Sequence, residues 1–300
     1  MKGLQSIKTT ENGILIVSTV RNCSRSILRT IDAVDNYLES KHKEFLFIES
    51  DSDDNTVAIL KELSAARSNF KYLSMGNLKT SIPRRTERIA FCRNKYLTYM
   101  HENCKHFEYL VVIDSDGIIS EIDDSNISSF PNINWHALAG NVRGYYYDVW
   151  ALRADSWCNH DCWRRYQDLI QMGMTEYQSY RNSVWGPTIR LNPHRLELKV
   201  DSAFGGLAIY KVRSIPKTAK YIGVDVEGNE ICEHVSFNLA IKNYNQKSEM
   251  YILPGLIVGE SPPEHTKYAG LAGLANFRLR KIIKSNLQKL SDLKDKKIFS

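Results

Sequence analysis

Short apolar runs alternate with amphipathic stretches through the first part of the chain. Apolar runs bounded by polar turns are typical of buried parallel strands, and the sequence predicts such strands at 13–20, 45–48, 70–75 and 109–113. The stretches between them repeat apolar residues at helical spacing. Strand and helix in strict alternation predict an α/β fold with a parallel sheet joined by helical crossovers.

The later part of the chain is less regular. Strands are predicted at 135–142, 204–210 and 251–258, and a helix opens at Glu233. Residues 157–185 are polar and aromatic with little periodicity, which indicates a partly helical flap or a variable loop.

Two helices are predicted in the later part of the chain. The helix from Glu233 carries the apolar residues Val235, Leu239 and Ile241. The helix predicted at 269–300 carries a leucine and isoleucine stripe, with lysines and arginines on its other faces. Such a helix either lies on an anionic membrane surface or packs on the domain or on a twin subunit.

Composition narrows the class of protein. The 300 residues, 43% hydrophobic and 25% charged, suffice for one large α/β domain or two small ones, with a sizeable core. The net charge of +6 gathers toward the C-terminus, so nucleic-acid binding is not indicated. Neither a membrane-spanning run nor a signal-peptide core is present, which predicts a cytoplasmic protein, with the inner membrane surface as a place of contact through the C-terminal helix.

The strand at 109–113 ends in Asp114-Ser115-Asp116. A buried parallel strand delivers its last residues to the carboxyl edge of the sheet, where open α/β folds bind ligands. Two carboxylates separated by one small residue can share a divalent cation as hard oxygen ligands, and Ser115 is expected at the same cofactor site. The alternative is a polar turn that merely ends the strand.

The turns after the first two strands bear on which nucleotide could bind. Residues 18–24 contain no glycine, which argues against a dinucleotide-binding domain and against a sugar-phosphate nucleotidyltransferase. The acidic turn after the second strand offers Glu49 or Asp51 as an acceptor for a nucleobase or ribose. The alternative is a solvated turn in which Asp54 or Asn55 caps the next helix.

Four further residues are candidates for ligand binding at the carboxyl edge of the sheet. Arg93 lies on the helix before the Asp114 strand and can meet a diphosphate, although most helix arginines are solvated. The paired Gly205 and Gly206 allow a positive φ or a close backbone approach, with a bulge as the alternative. Glu233 opens a helix, where an acidic residue is favoured without any catalytic role.

Several blocks together resemble a known family. They are Ala90-Phe-Cys-Arg-Asn94, the Asp-Ser-Asp that ends the fourth strand, Tyr146-Tyr-Asp-Val-Trp-Ala-Leu-Arg153, Phe204-Gly-Gly-Leu-Ala-Ile-Tyr210 and Cys232-Glu-His-Val-Ser-Phe237. The first two resemble GT-A glycosyltransferases. The last three are similar to the fungal capsular α-1,3-mannosyltransferase family and its bacterial and viral relatives, over roughly residues 13 to 268.

The resemblance implies a GT-A, Rossmann-like α/β fold, with a mixed, mainly parallel sheet flanked by helices and a C-terminal helical extension. It implies a glycosyltransferase domain at 1–268, with a nucleotide-binding half at 1–117 and an acceptor-binding half at 118–268. The basic amphipathic helix at 269–300 follows.

The resemblance also implies the activity: transfer of a sugar, with mannose favoured, from a GDP or UDP donor to a glycan or lipid-linked saccharide. Asp114, Asp116 and the late His265 would bind Mn²⁺ or Mg²⁺, with His234 as the rival histidine. Glu233 would face the acceptor, as a general base if the enzyme inverts or as an orienting group if it retains.

In the same resemblance, Gly205 and Gly206 lie beside donor sugar and acceptor, and Arg93 lies on the leaving-group side. Two other classes stay open: a metal-dependent sugar-phosphate nucleotidyltransferase and a non-catalytic sugar- or nucleotide-binding relative. The presence of Asp114, Asp116, Glu233 and His265 counts against the non-catalytic relative.

Overall fold

An eight-stranded mixed sheet flanked by helices is the framework of the molecule. The structure, a computed structural model, describes residues 2–127 and 134–263. The strands are β1 (Gly13–Val20), β2 (Lys43–Glu49), β3 (Phe70–Ser74), β4 (Phe107–Ile113), β5 (Trp135–Arg143), β6 (Leu198–Val200), β7 (Leu207–Lys211) and β8 (Glu249–Glu260). The helices are α1 (Lys2–Lys8), α2 (Ile27–Tyr37), α3 (Thr56–Ala66), α4 (Arg85–Glu102), α5 (Cys162–Gln171), α6 (Glu176–Tyr180) and α7 (Glu233–Tyr244).

The strand order places two distant parts of the chain side by side. Across the sheet the order is β3-β2-β1-β4-β7-β5-β8-β6. β1, β2, β3 and β4 are parallel, as predicted, whereas β7 is antiparallel to β4 and pairs Leu207 with Ile113. Because β7 starts where β4 ends, the residues just before β7 lie beside those just after β4.

Both faces of the sheet are covered, which explains the continuous apolar runs of its parallel strands. Along β1, Leu15 and Val17 face one core cluster and Ile14 and Ile16 face the other. The predicted α/β class and mixed sheet are confirmed.

Two expectations about single elements differ from the structure. β6 is not among the predicted strands, because a three-residue edge strand leaves no periodic signal. Of the apolar residues predicted on α7, Ile241 is buried and Val235 packs half-buried against the core, whereas Leu239 is only half-buried. The buried face instead includes polar Glu233 and Asn238, because their polar partners also lie in the interior.

Contacts divide the chain into two units. One comprises residues 1–161 and 188–261 and contains the whole sheet, and the other comprises 162–187 and 262–300. Within the second unit, the Trp163 ring at the start of α5 contacts the Tyr180 ring at the end of α6, at 6.1 Å. The segment predicted as a flap is thus helical in α5 and α6.

Two sequence-based expectations lie outside the described residues: the metal ligand His265 and the helix at 269–300. The division at residues 117 and 268 therefore stays a prediction. Among the helices that the structure does describe, none has the length and hydrophobicity needed to cross a membrane.

Candidate active site

Asp114 is the first residue after β4, at the edge where β7 begins. Its backbone N–H donates to the carbonyl of Gly206 at 2.9 Å. Ser115 is buried, with its Oγ 2.9 Å from Ser18 Oγ on β1, and its carbonyl accepts a hydrogen bond from the Ser26 hydroxyl at 2.6 Å. These bonds fix the strand end to β1, to the β7 turn and to the residue before α2.

The Arg93 side chain on α4 connects the two halves of this edge. Its Nε donates to Glu233 Oε1 at 2.9 Å, and its Nη2 lies 3.7 Å from Asp114 Oδ1. Arg93 is 4% exposed and Glu233 is 6% exposed. The guanidinium also lies over the rings of Phe204 and Tyr221, at 5.4 and 5.6 Å. Arg93 and Glu233 therefore form a buried ion pair next to Asp114, and the solvated alternative for Arg93 is wrong.

His234 lies beside this ion pair in an aromatic setting. Its ring stacks on Phe204 at 4.0 Å and meets Tyr221 edge-on at 5.6 Å. Burial lowers the pKa of His234 well below its usual range, and the charge of Arg93 lowers it further. Neither ring nitrogen has a hydrogen-bond partner among the described residues. A buried polar group left in this state costs about 1–3 kcal/mol.

The paired glycines form a tight turn against the end of β4. Gly205 and Gly206 both have positive φ, +70° and +88°. A Cβ at Gly206 would lie 2.9 Å from the Ile118 side chain, so a side chain would clash there as well as strain the backbone. The N–H of Gly205 donates to Asp148 Oδ2 at 3.0 Å. The predicted positive φ is confirmed, and Asp148 holds the turn in place.

Four carboxylates influence one another at this edge. Burial raises the pKa of Asp114 well above its usual range, and the charges of Asp116, Asp148 and Glu233 add to that rise, while Arg93 opposes it. A nearby cation favours the ionised form of a carboxyl. This concentration of carboxylates, with Asp116 exposed, therefore fits a divalent cation held by Asp114 and Asp116.

A third ligand for such a cation is not found among the described residues. Within residues 2–127 and 134–263, no three histidine, cysteine or acidic side chains are arranged as a metal site. His265 lies beyond those residues. His234, the rival, is buried against Phe204.

The acidic turn after β2 is braced from within the protein. Glu49 is buried, and its Oε1 accepts the N–H of Ser52 at 3.0 Å. Asp51 has a φ of +59°, its Oδ1 accepts the N–H of Lys79 at 2.8 Å, and its Oδ2 lies 3.5 Å from Arg88 Nε. Both side chains thus hold the turn in shape through contacts within the protein.

Other side chains join this turn to its surroundings. Asp54 accepts the N–H groups of Thr56, at 2.9 Å, and of Ser24, at 3.1 Å. Asp54 therefore bonds the first N–H of α3, although the N-cap residue is Asn55, whose side chain makes no capping hydrogen bond. Asp54 also ties the turn after β2 to the turn after β1. α4 reaches both regions, because it carries Arg88 to Asp51 and its next arginine to Asp114.

Two asparagines that sequence reasoning missed hold the loops around the ion pair. Asn94 bonds both backbone polar groups of Tyr221, at 2.9 and 3.0 Å. Asn238 donates to Ser202 Oγ at 3.0 Å and accepts from the Tyr210 hydroxyl at 2.9 Å. Polar residues on the inner faces of α4 and α7 are the signal that could have revealed them.

The sequence matches a known family over more than half of its length. The model described as Glycosyl transferase family 2 matches residues 15–184. That segment begins in β1 and includes the acidic turn, Arg93, Asp114 and Asp116. No curated protein matches the chain.

Solved structures similar to this chain are distant in sequence. S. aureus TarS 1-349 is 12% identical, with 85% of this chain and 62% of that chain covered and a TM-score of 0.45. The mannosyltransferase PcManGT from Pyrobaculum calidifontis, in complex with GDP-Man and Mn²⁺, is 12% identical, with 87% and 60% covered and a TM-score of 0.43. Glucosyl-3-phosphoglycerate synthase from Mycobacterium tuberculosis, in complex with UDP, is 13% identical, with 87% and 75% covered and a TM-score of 0.39. The chain spans 62% and 60% of the first two.

Proposed function

Because the chain belongs to glycosyl transferase family 2, we propose that it moves a sugar from a nucleoside-diphosphate donor to a saccharide hydroxyl. The observation that carries this proposal is the buried Arg93–Glu233 pair, with Arg93 3.7 Å from Asp114 at the carboxyl end of β4. This edge is where α/β sheets bind ligands. It brings together a positive charge, which can stabilise a departing diphosphate, and a carboxylate, which can accept a hydrogen bond from an incoming hydroxyl.

Asp114 and Asp116 would hold the divalent cation, Mn²⁺ or Mg²⁺. The bound cation would act as a Lewis acid that stabilises the negative charge of the departing diphosphate. The mutual repulsion of Asp114, Asp116 and Asp148 supports this assignment, because a cation relieves it. His265 stays the predicted third ligand.

Glu233 would lie on the acceptor side, where its carboxylate accepts a hydrogen bond from the attacking hydroxyl. Arg93 holds Glu233 in place through its Nε, so we assign Arg93 a positioning role there. A role for Arg93 on the leaving-group side stays a prediction from the sequence.

The turn after β2 would contact the nucleotide, with Glu49 and Asp51 setting its shape. Ser115, Gly205 and Gly206 would line the donor site through their backbone. GDP-mannose is the favoured donor, with UDP-sugars as the alternative and a glycan or lipid-linked saccharide as the acceptor. Membrane contact through 269–300 stays a prediction.

The test is a panel of nucleotide sugars, with released nucleoside diphosphate measured with Mn²⁺, with Mg²⁺ and with a chelator. We expect turnover of one donor class that the chelator abolishes. Asp116→Asn should remove both turnover and metal-dependent nucleotide binding, whereas the exposed Asp32→Asn on α2 should keep both. Metal-independent turnover, or a fully active Asp116→Asn variant, would contradict the metal assignment.

A second assay, with a nucleoside triphosphate and a sugar phosphate as substrates, tests another reaction class. A nucleotidyltransferase would release inorganic diphosphate from a nucleoside triphosphate and a sugar phosphate. Activity of that kind, without turnover of any nucleotide sugar, would overturn the proposal.

A further inference from the structure

His234 is a buried polar side chain that none of the assigned roles uses. It is 4% exposed, and neither ring nitrogen is hydrogen-bonded within the part of the chain that the structure describes. Its Nε2 lies 3.8 Å from Glu233 Oε1, which is too long for a hydrogen bond. A small movement of the Glu233 carboxylate would close that gap.

Arg93 is the present partner of Glu233, but it has a second carboxylate within reach. Its Nε bonds Glu233 at 2.9 Å and its Nη2 lies 3.7 Å from Asp114. A guanidinium next to a bound diphosphate is drawn toward that charge, since arginine forms charge-assisted bonds with phosphate oxygens. Glu233 would then be a buried carboxylate with a weakened partner.

We propose that His234 is the positioning residue that holds Glu233 by a hydrogen bond from Nε2 when Arg93 turns toward the donor diphosphate. The stack on Phe204 at 4.0 Å and the edge contact with Tyr221 keep the imidazole plane fixed beside Glu233. A neutral imidazole carries one N–H donor, which suffices for this bond. The inference rests on the proposed glycosyl transfer.

Two substitutions separate the hydrogen bond from the packing. His234→Phe keeps an aromatic ring on Phe204 but removes the donor, whereas His234→Gln loses the ring but offers an amide N–H. We expect His234→Phe to lower kcat about 10–100-fold with donor Kd unchanged, and His234→Gln to recover most of that loss. His136→Phe is the matched control, because His136 is equally buried, on β5, and is bonded to Ser248; its kcat should stay at the wild-type value.

Several outcomes would overturn the inference: wild-type kcat in His234→Phe, equal losses in the Phe and Gln variants, or a loss seen only in donor Kd. A readout independent of turnover is ¹⁵N NMR of the His234 imidazole, titrated with GDP or UDP and Mg²⁺. On nucleotide binding we expect the neutral imidazole to carry its hydrogen on Nε2 and to show the signal of a hydrogen bond there. Glu233→Ala should abolish that hydrogen-bond signal. If no nucleotide sugar is turned over, glycosyl transfer fails while this NMR result still decides the role of His234.

Discussion

At the scale of single residues, Arg93 is the point at which the charges of the site converge. It meets Glu233 from α7, Asp114 from β4 and the Tyr96 hydroxyl one turn along its own helix, at 3.2 Å. Breaking a buried pair by removing one partner leaves an uncompensated charge. The identity of Glu233 should therefore matter for both stability and catalysis.

Glu233→Gln tests which kind of role the carboxylate has. Glutamine keeps the shape and can still accept from Arg93, but it cannot take up a proton. If Glu233 is the general base of an inverting reaction, kcat should fall about 10²–10⁴-fold with donor Kd unchanged. A loss confined to acceptor KM would identify an orienting group in a retaining reaction. Wild-type kinetics in both respects would remove Glu233 from the mechanism and move attention to Asp148.

At the scale of elements, α4 holds the loop before α7 in place beside the candidate site. Its first turn is held by Thr86, whose hydroxyl donates to the Gly223 carbonyl at 2.5 Å and whose backbone N–H donates to Glu230 at 3.0 Å. Further along, Asn94 clamps the backbone of Tyr221. The loop before α7 is therefore fixed to α4 at two points.

Asn94→Ala should loosen that loop and, with it, the Tyr221 ring beside Arg93. Two backbone groups would lose their partner, so we expect a loss of about 1–3 kcal/mol in the free energy of unfolding, together with reduced kcat. Thr98→Ala, one turn further along α4 and exposed, is the control and should change neither quantity much. Urea unfolding combined with turnover measurements checks both effects, and equal stability of the two variants would contradict the clamp.

The same scale shows what the sequence could and could not predict. The parallel strands and the placement of Asp114 at a strand end follow from local apolar runs and the turn after them. The burial of Arg93 does not, because its partner Glu233 is 140 residues away and hydrophobic periodicity carries no information about that pairing. For the same reason the apolar pattern did not reveal that Glu233 and Asn238 lie on the buried face of α7.

At the scale of the whole molecule, buried neutral histidines link stability to pH. Burial lowers the pKa of His136 below its usual 6.5, with its backbone partner Ser248 opposing the shift. The unfolded chain therefore binds a proton below about pH 6.5 that the folded protein does not. Above that pH the histidine is neutral in both states and does not affect the free energy of unfolding. As the pH falls below it, protonation of the unfolded chain lowers the free energy of unfolding.

His136→Gln isolates this effect from the other titrating groups. Between pH 7 and pH 5 the wild type should lose stability relative to the variant, by at most about 1.4 kcal/mol per pH unit. His194→Gln, at an exposed position, is the control for the substitution itself. Urea unfolding at several pH values measures both, and a difference that is constant with pH would show that His136 titrates normally.

The insertion of β7 between β4 and β5 has a consequence for how the protein is made. On a ribosome, Arg93 and Asp114 are synthesised long before the Gly206 carbonyl and the Glu233 carboxylate that complete their surroundings. At about 5–20 residues per second, the 140 residues between Arg93 and Glu233 take roughly 7–28 s to translate. During that interval the nascent chain carries an exposed arginine and an open edge on β4. Any chaperone that attends this chain during synthesis should therefore engage it before α7 emerges.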